Sequence, residues 1–295
     1  MSPSAIPAPR IHGFTQGTNT PLYWCRYGTA GAPPVVVLHG GPGAHHDYLL
    51  PQLLDLADTY DLLFYDQRGG GQSKTDDRTP ITWHTHVTDL AAVLAELEPA
   101  PPTILGYSWG GMLALLYAVE AASGRVTPAP ARLALIDPAP LSRQWRTEFE
   151  AEFARRQLSA EVQTLRDALT ASGLRETDPA AYRQRTFELS VAGYFADPRR
   201  ATDLTPFRVT GRVQQSVWES LGEFDLIPDL AKVPYDVQII HGRQDPIPLE
   251  SSEAAARALR AELVVLEDCG HVPYVEAHGS LMAALRRFLR RPDAV

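Results

Sequence analysis

Residues 106–110, Gly-Tyr-Ser-Trp-Gly, place a serine between two glycines in a pattern that favours nucleophilic chemistry. A short apolar run, 103–105, precedes them and a second run, 112–116, follows, which predicts a strand that turns directly into a helix. Such a turn strains the backbone at its centre, and glycines two positions away let the strand and the helix approach closely. Ser108 is therefore predicted to lie at a helix N-terminus, where free N–H groups favour developing negative charge.

A serine hydroxyl becomes a strong nucleophile only when a base removes its proton and an acid orients that base. In hydrolases with a G-x-S-x-G nucleophile elbow, the chain order is Ser, then Asp or Glu, then His, each in a loop after a strand. Asp245 and His271 each follow a predicted strand, so both loops are expected at the same sheet edge as Ser108. His271 follows the last strand on a glycine turn, whereas His278 would serve as base only if that loop were longer. We therefore predict Ser108, Asp245 and His271 as nucleophile, acid and base.

Asp137 is the alternative acid, because it also ends a predicted core strand. Its position directly before Pro138 is equally typical of a turn residue. We prefer Asp245 as the orienting acid and interpret Asp137 as part of a turn.

Acyl transfer also needs hydrogen-bond donors for the oxyanion of the tetrahedral intermediate. The backbone N–H of Trp109, directly after the serine, is predicted to supply one of them. The loop 39–43, His-Gly-Gly-Pro-Gly, is predicted to supply the other through Gly41, because glycine lets the backbone approach a substrate closely. His39 is interpreted as a structural residue that shapes this loop, and Arg68 as a member of structural hydrogen bonds.

The elements that must position these residues are short apolar runs that alternate with helical patterns. Strands that alternate with helices indicate an α/β fold with a mostly parallel sheet and helices on both faces. An antiparallel hairpin at 13–26 is predicted to precede them. The predicted strands are 35–38, 62–65, 103–105, 133–136, 237–240 and 263–266, and the predicted helices are 83–97, 112–116, 148–158, 160–169, 180–195 and 280–290, with a helix breaker at 99–102.

The alternation is interrupted by a long stretch that has helical patterns and no convincing buried strand. An all-helical insertion between two strands of a parallel sheet is interpreted as a cap over the carboxyl edge of the strands, where open α/β sheets bind their ligands. The predicted domain organisation is a first part of the α/β core at 1–138, a helical cap at 139–230 and a second part of the core at 231–295. Residues 1–10, rich in proline, serine and alanine, are predicted to be loose.

The composition of the 295-residue chain is ordinary for a globular enzyme, with 44% hydrophobic and 21% charged residues. A net charge of −8 without a Lys/Arg run argues against nucleic-acid binding. No apolar run reaches the length of a membrane span, and the N-terminus lacks the apolar core of a signal peptide, so a cytoplasmic protein without a membrane partner is expected.

Metal and disulfide chemistry have little support in the sequence. Cys25 and Cys269 are too few for a disulfide framework, which fits a reducing compartment. Neither an HExxH nor a CxxC pattern occurs, so we expect no metal ion and no cofactor. The expected partner is a short peptide or another small-molecule substrate, and the sequence leaves the oligomeric state open, with a monomer plausible.

Five segments taken together carry a resemblance to a known family. They are HGGPG at 39–43, YDQRGGGQS at 65–73, GYSWGG at 106–111, GRQD at 242–245 and GHVPYVE at 270–276. The chain resembles the proline iminopeptidase family, roughly over 20–138 and 231–290. That family comprises α/β-hydrolases, including prolyl aminopeptidases and tricorn-interacting aminopeptidases, that remove N-terminal residues from short peptides. The resemblance implies an α/β-hydrolase fold and the same nucleophile, acid and base.

An aminopeptidase must hold a free ammonium group, which calls for carboxylates in a partly desolvated pocket. The segment 217–225 resembles the stretch where family members carry such a glutamate, and Glu223 is the first candidate. Glu219 is the second, because it lies four residues earlier and would share a helix face with Glu223. Some members have a second glutamate directly after the acid of the triad, where this chain has Pro246. This departure bears on amine recognition by two carboxylates and on the preference for proline.

The leading functional hypothesis is an aminopeptidase that releases N-terminal proline or another small or apolar residue from short peptides. The alternative enzyme is an esterase, lactonase or amidase acting on a small uncharged substrate, with the cap glutamates solvated. A third hypothesis, a non-catalytic ligand receptor on a hydrolase scaffold, would be expected to lack a triad or oxyanion element, and none is missing here.

Overall fold

The computed structural model describes residues 6–98 and 100–290. Half of the predicted loose segment, residues 1–5, lies outside this description, as do Pro99 of the predicted helix breaker and residues 291–295. Within the described ranges the chain forms one eight-stranded sheet, twelve α-helices and four short 3₁₀-helices. None of the helices in these ranges combines the length and the apolar character that a membrane span requires.

The sheet consists of short strands, of which the first two form the predicted antiparallel hairpin and the other six lie at the predicted apolar runs. They are β1 (Ile11–Phe14), β2 (Tyr23–Tyr27), β3 (Pro34–Leu38), β4 (Asp61–Tyr65), β5 (Thr103–Tyr107), β6 (Arg132–Ile136), β7 (Asp236–Gly242) and β8 (Glu262–Leu266). Their spatial order is β1-β2-β4-β3-β5-β6-β7-β8. β2 pairs antiparallel with β1 and β4, and every other pairing is parallel. The predicted α/β class with a mostly parallel sheet is confirmed.

The helices lie mostly between consecutive strands. The α-helices are α1 (Leu50–Leu53), α2 (Trp83–Leu97), α3 (Trp109–Ala122), α4 (Arg143–Gln157), α5 (Ala160–Ala171), α6 (Leu174–Thr177), α7 (Pro179–Val191), α8 (Gly211–Leu221), α9 (Ile227–Leu230), α10 (Leu249–Leu259), α11 (Pro273–Glu276) and α12 (His278–Leu289). The 3₁₀-helices are Asp47–Leu49, Leu54–Leu56, Ala192–Tyr194 and Pro198–Asp203.

Each face of the sheet has its own apolar core, because alternate residues of a strand point to opposite faces. On β3, Val35 and Val37 pack in one core, while Val36 and Leu38 pack in the other. The helical partners of the first core include α1 and α12, and those of the second include α2, α3 and α10. Strands buried on both faces therefore read as continuous apolar runs, which is why the sequence revealed them.

The stretch between β6 and β7 contains the helices α4 to α9 and, over this fully described range, no strand beyond one isolated bridge between Ser142 and Asp225. We call residues 139–230 the inserted segment. Its predicted helices 148–158, 160–169 and 180–195 correspond to α4, α5 and α7. The division into two core parts and a cap domain stays a prediction.

The helix α10 has no counterpart among the predicted helices. Its buried positions are occupied by Ser251, Ser252, Ala255 and Ala256 before Leu259. Small and polar residues on the inward face leave little apolar periodicity in the sequence, so the usual helical signal is weak there.

Candidate active site

Ser108 lies at the sharp turn between β5 and α3 and has the unusual backbone angles φ +54° and ψ −118°. The two flanking glycines make this turn sterically possible. A Cβ atom at Gly106 would lie 2.4 Å from the Gly110 carbonyl oxygen, and one at Gly110 would lie 2.2 Å from the Leu38 carbonyl oxygen. Since real Cβ atoms do not approach backbone oxygens so closely, only glycine fits at either position.

The structure brings together the three side chains that the sequence predicts as nucleophile, base and acid. The hydroxyl oxygen of Ser108 lies 2.9 Å from Nε2 of His271. On the other side of the ring, Nδ1 of His271 lies 2.7 Å from Oδ2 of Asp245. The second carboxylate oxygen of Asp245 accepts a hydrogen bond of 2.7 Å from the backbone N–H of Ile247, which fixes its orientation. A continuous hydrogen-bonded chain therefore links Ser108 to Asp245.

Burial shifts the pKa values of His271 and Asp245. It lowers the pKa of His271, so the imidazole is uncharged at rest and has a lone pair to accept a proton. Burial also raises the pKa of Asp245, while the hydrogen bond from Ile247 acts in the opposite direction. Because Nδ1 of His271 donates to Asp245, the free nitrogen is Nε2, the atom that faces Ser108.

Asp137, the alternative acid, makes no hydrogen bond to His271. It has φ +41°, and its Oδ1 accepts a hydrogen bond of 2.8 Å from the backbone N–H of Gly242. Its other oxygen is buried without a partner among the described residues. Burial, followed by the charge of Asp245, raises the pKa of Asp137 well above its ordinary value. The geometry therefore favours Asp245 over Asp137 as the group that orients the imidazole.

The backbone of His271 is held from both sides of the cavity. Its N–H donates to the carbonyl oxygen of Tyr194 at 2.8 Å, and its own carbonyl accepts from the hydroxyl of Tyr107 at 2.8 Å. The carboxylate of Glu276 accepts a hydrogen bond of 2.8 Å from the N–H of Gly270, directly before the histidine. Sequence reasoning assigned none of these supporting roles, although Glu276 closes the segment 270–276 that it singled out.

Two backbone amides near Ser108 are available to an oxyanion. Among the described residues, the N–H groups of Gly41 and Trp109 have no hydrogen-bond partner. The N–H of Gly40, by contrast, is engaged by the hydroxyl of Tyr48 at 2.8 Å. These observations agree with the predicted pair of donors, whose role in catalysis stays a prediction.

A glutamine connects the loop of Gly41 with the residue after the nucleophile. The amide nitrogen of Gln67 donates to the carbonyl of His39 at 2.8 Å, and its amide oxygen accepts from the indole N–H of Trp109 at 2.8 Å. His39 is fully buried and accepts from the backbone N–H of Gln67 at 3.1 Å, which fits its predicted structural role. Arg68 forms a two-point ion pair with Asp89, also as expected for a structural residue.

The same loop is anchored further along by a buried His–Asp pair. His46 donates from its backbone N–H and places its Nδ1 at Oδ1 of Asp66, at 3.1 and 2.7 Å. Its Nε2 lies 3.2 Å from Sγ of Cys25. Burial alone would lower the pKa of His46, but the hydrogen bonds to Asp66 and Cys25 outweigh it and raise this pKa to about 10.

Ser108 opens into a cavity of about 400 Å³ that is mainly aromatic. Among the described residues that line it, Arg146 is the only side chain charged at neutral pH, and none is a carboxylate. The aromatic members of its wall are Tyr48, Tyr107, Trp109, Phe149, Phe153, Tyr194, Phe207, Trp218 and Tyr274.

Arg146 is held against the wall of the cavity by two contacts. Its guanidinium lies 3.6 Å from the ring centre of Trp218, and its Nε lies 2.6 Å from a carboxylate oxygen of Glu150. Trp218 in turn packs edge-on against Trp109 at 5.6 Å. The inserted segment thus reaches the residue next to the nucleophile through an aromatic contact.

Hydrogen bonds also join the inserted segment to the loops of the predicted triad and oxyanion site. Three examples have a backbone carbonyl as the acceptor. The Tyr194 oxygen accepts from the His271 N–H (2.8 Å), the Gln244 oxygen accepts from Arg156 Nη1 (2.6 Å), and the Gly43 oxygen accepts from the Thr210 N–H (2.9 Å).

The two predicted substrate-binding glutamates do not lie in this cavity, which corrects their predicted place in a partly desolvated pocket, while their contact with a substrate stays a prediction. Glu223 is 90% exposed, with its nearest cation 4.0 Å away on Arg143, and Glu219 is exposed as well. The physical reason is the orientation and the end of α8. The helix buries its apolar face and turns Trp218 to the cavity, which leaves Glu219 on the outer side, and the helix ends at Gly222 before Glu223.

The chain is similar to known proteins in both sequence and fold. The sequence profile of the alpha/beta hydrolase family matches residues 35–285. A proline iminopeptidase from Lactobacillus helveticus is 42% identical over 90 residues, which cover 29% of this chain and 30% of that protein. A proline iminopeptidase from Clostridium botulinum is 26% identical over 282 residues, which cover 90% of this chain and 92% of that protein.

The solved structure of a proline iminopeptidase-related protein from Thermus thermophilus superposes with a TM-score of 0.71 at 22% identity, over 95% of this chain and 96% of that one. At this identity the likeness shows a shared fold. The match to the Lactobacillus protein spans about 30% of that relative's length, so it concerns only part of the molecule.

Proposed function

Because this chain belongs to the alpha/beta hydrolase family, we propose that it is a serine hydrolase that forms an acyl-enzyme at Ser108. The observation that carries the proposal is the hydrogen-bonded chain from Ser108 through His271 to Asp245. The neutral imidazole can take the proton of the hydroxyl, and the carboxylate stabilises the imidazolium that results.

The reaction follows from these positions. As Ser108 Oγ bonds to the substrate carbonyl carbon, its proton moves to Nε2 of His271, and the carbonyl oxygen becomes an oxyanion held by the N–H groups of Gly41 and Trp109. When the intermediate collapses, His271 returns the proton to the leaving group. A water molecule then attacks the carbonyl carbon of the acyl-enzyme while His271 accepts its proton. When this second intermediate collapses, the acid product leaves and His271 returns the proton to Ser108 Oγ.

The wall of the cavity supports an uncharged and largely apolar group next to the reacting carbonyl. Aromatic side chains favour burial of apolar surface, whereas a buried ammonium ion needs a carboxylate partner. The cavity has no such carboxylate among the described residues, and the charged side chain in its wall is a cation, Arg146. The first candidate is therefore an esterase, lactonase or amidase acting on a small substrate that is uncharged at its reacting end.

An aminopeptidase of the proline iminopeptidase type is the second candidate. It is favoured by the names of the Lactobacillus and Clostridium relatives. In that case the substrate amine would have to be bound through neutral groups, such as Gln214 or tyrosine hydroxyls of the cavity wall, or in its uncharged form.

One set of substrates separates the two candidates. We would measure kcat/KM for proline p-nitroanilide, its N-acetyl form, and the acetyl and butyryl p-nitrophenyl esters. The first candidate predicts rapid ester hydrolysis and no advantage of the free amine over the acetylated amide. A preference for the free amine of about 100-fold or more would instead establish the second candidate.

The nucleophile is tested with the same esters. Ser108→Ala is expected to fold normally and to lose several orders of magnitude in kcat, because the covalent route is removed. A folded Ser108→Ala protein that kept most of its ester hydrolysis would contradict the proposed serine hydrolase itself.

A further inference from the structure

A second concavity, of about 680 Å³, lies between the core and the inserted segment. We call it the basic cleft, because four of its lining residues carry basic side chains: His45, Lys74, Arg183 and Arg208. No acidic residue lines it among the described residues. This cluster of basic residues contrasts with the net charge of the whole chain, which is −8.

The lysine and the two arginines of the basic cleft have no counter-ion among the described residues. Within residues 6–98 and 100–290, Lys74, Arg183 and Arg208 form no ion pair and donate no side-chain hydrogen bond, and all three are exposed. Most other arginines of the inserted segment, by contrast, are paired; Arg155 and Arg156, for example, share Glu152. Nδ1 of His45 is buried without a hydrogen-bond partner and lies 3.6 Å from Oδ2 of Asp47.

The basic cleft adjoins the cavity of Ser108. Phe207 lines both, with its ring 4.5 Å from that of Tyr48 on the cavity side and 5.4 Å from that of Phe187 on the cleft side. The loop of the predicted oxyanion donor also borders both spaces, because Gly41 lines the cavity and Gly43 lines the cleft. A substrate that reacts at Ser108 and extends past Phe207 would therefore place its far end among the cations.

We propose that the basic cleft binds an anionic group, a phosphate or a carboxylate, at the far end of the substrate that reacts at Ser108. The inference rests on the proposed serine hydrolase and defines its substrate class: the apolar part next to the carbonyl fills the aromatic cavity, and the anion lies outside Phe207. Planar guanidinium groups suit both anions, since they can donate two parallel hydrogen bonds to one carboxylate or phosphate.

Two matched pairs of substrates test the proposal and distinguish where the anion is carried. For an anion on the leaving group, butyryl-coenzyme A is compared with the butyryl thioester of N-acetylcysteamine, which has the same thioester without phosphates. For an anion on the acyl group, the mono-p-nitrophenyl ester of suberic acid is compared with p-nitrophenyl octanoate. In at least one pair, kcat/KM at low salt is expected to be about tenfold or more higher for the anionic member. Added NaCl at about 0.5 M should remove most of this preference by screening.

Charge reversal locates the preference. The double variant Arg183→Glu/Arg208→Glu is expected to abolish it and to leave the neutral member of the pair hydrolysed at the wild-type rate. The matched control is Arg175→Glu, which makes the same change at an exposed arginine of the same segment that lines no described cavity and forms no ion pair there. Arg175→Glu should keep the preference.

Equal kcat/KM values within both pairs in the wild type would overturn the inference, as would a preference that survives the double variant. Neither result would touch the proposed hydrolase, which is judged separately from the neutral esters and Ser108→Ala. If the neutral esters were hydrolysed equally by Ser108→Ala, the proposed hydrolase would fail first.

Discussion

Two buried carboxyl groups near the imidazole have different partners, and their partners define their roles. Asp245 contacts Nδ1 of His271, whereas Asp137 accepts from the backbone N–H of Gly242 and makes no hydrogen bond to the imidazole. A carboxylate in direct contact with the imidazole can orient it and stabilise the imidazolium that forms during the reaction, whereas a carboxyl group without that contact cannot orient it. The two residues therefore make a matched pair for mutation.

Asp245→Asn is expected to lower kcat on the order of 10⁴-fold, as in a well-studied triad, because the imidazole loses its orienting charge. Asp137→Asn should lower kcat less than about tenfold, since an amide keeps a polar group next to Gly242. The measurement is kcat on p-nitrophenyl acetate, with circular dichroism to confirm that both variants fold. The opposite ranking would assign the acid to the end of β6.

The buried pair of His46 and Asp66 makes the stability of the protein depend on pH. Hydrogen bonds to Asp66 and Cys25 overcome burial and raise the folded-state pKa of His46 to about 10, above the ordinary value of 6.5. The free energy that this histidine contributes is therefore fully present below about pH 6.5 and is lost as the pH rises toward 10.

The prediction is tested by urea unfolding of the wild type and His46→Gln at about pH 6 and pH 9. The difference in unfolding free energy between the two proteins should shrink by roughly 1–3 kcal/mol at the higher pH. Groups that titrate equally in both proteins cancel in this difference. If it stayed constant, the imidazole would not be charged in the folded protein.

At the scale of elements, the turn between β5 and α3 depends on the absence of side chains. In Gly110→Ala the new Cβ would collide with the Leu38 carbonyl, 2.2 Å away, so β3 and α3 must separate. Unfolding free energy is expected to fall by about 1–3 kcal/mol or more. Gly211→Ala is the matched control, because a Cβ at this position, at the start of α8, meets nothing within 4 Å. Its stability should change by less than about 1 kcal/mol. Equal effects of the two changes in urea unfolding would show that the turn tolerates a side chain.

The sequence predicted elements well where a local signal and the packing agree. The helix α2 was predicted with its observed bounds, 83–97, from the helical spacing of its residues. In the structure Thr82 and Thr85 form a capping box at its start, and its apolar residues face one core. Glu219 and Glu223 were expected to share one helix face if the segment 217–225 were helical. The structure shows otherwise, because α8 ends before Gly222, which has φ +59°. Sequence spacing alone does not show where a glycine breaks a helix.

For the molecule as a whole, the core presents the reacting groups and the inserted segment supplies much of the cavity wall. The grouping of Ser108, His271 and Asp245 was predictable, because each follows a strand of one parallel sheet and so reaches the same edge. The aromatic wall was not, since the side of α4 or α8 that faces the cavity depends on how the helices pack. The same uncertainty explains why Glu219 and Glu223, which were predicted to contact the substrate, lie outside this cavity.

This arrangement predicts that substrate size can be changed without changing the chemistry. Phe149→Ala removes an aromatic wall residue of the cavity, so the ratio of kcat/KM for hexanoyl and acetyl p-nitrophenyl esters should rise roughly tenfold. Phe187→Ala is the matched control, because Phe187 lines the basic cleft and not the cavity. An unchanged ratio in Phe149→Ala, or an equal rise in Phe187→Ala, would contradict the prediction that the cavity wall limits the size of the acyl group.

The hydrogen bond from the His271 N–H to the Tyr194 carbonyl has a consequence for protein engineering. The inserted segment supports the base directly, and Arg156 ties it to the loop before Asp245 as well. A chimera that exchanges residues 139–230 for the corresponding segment of a relative would therefore alter the alignment of the reacting groups along with the substrate range. Such grafts should succeed only when the donor segment offers a carbonyl at the place of Tyr194 and a cation at the place of Arg156, whatever side chains it brings to the wall.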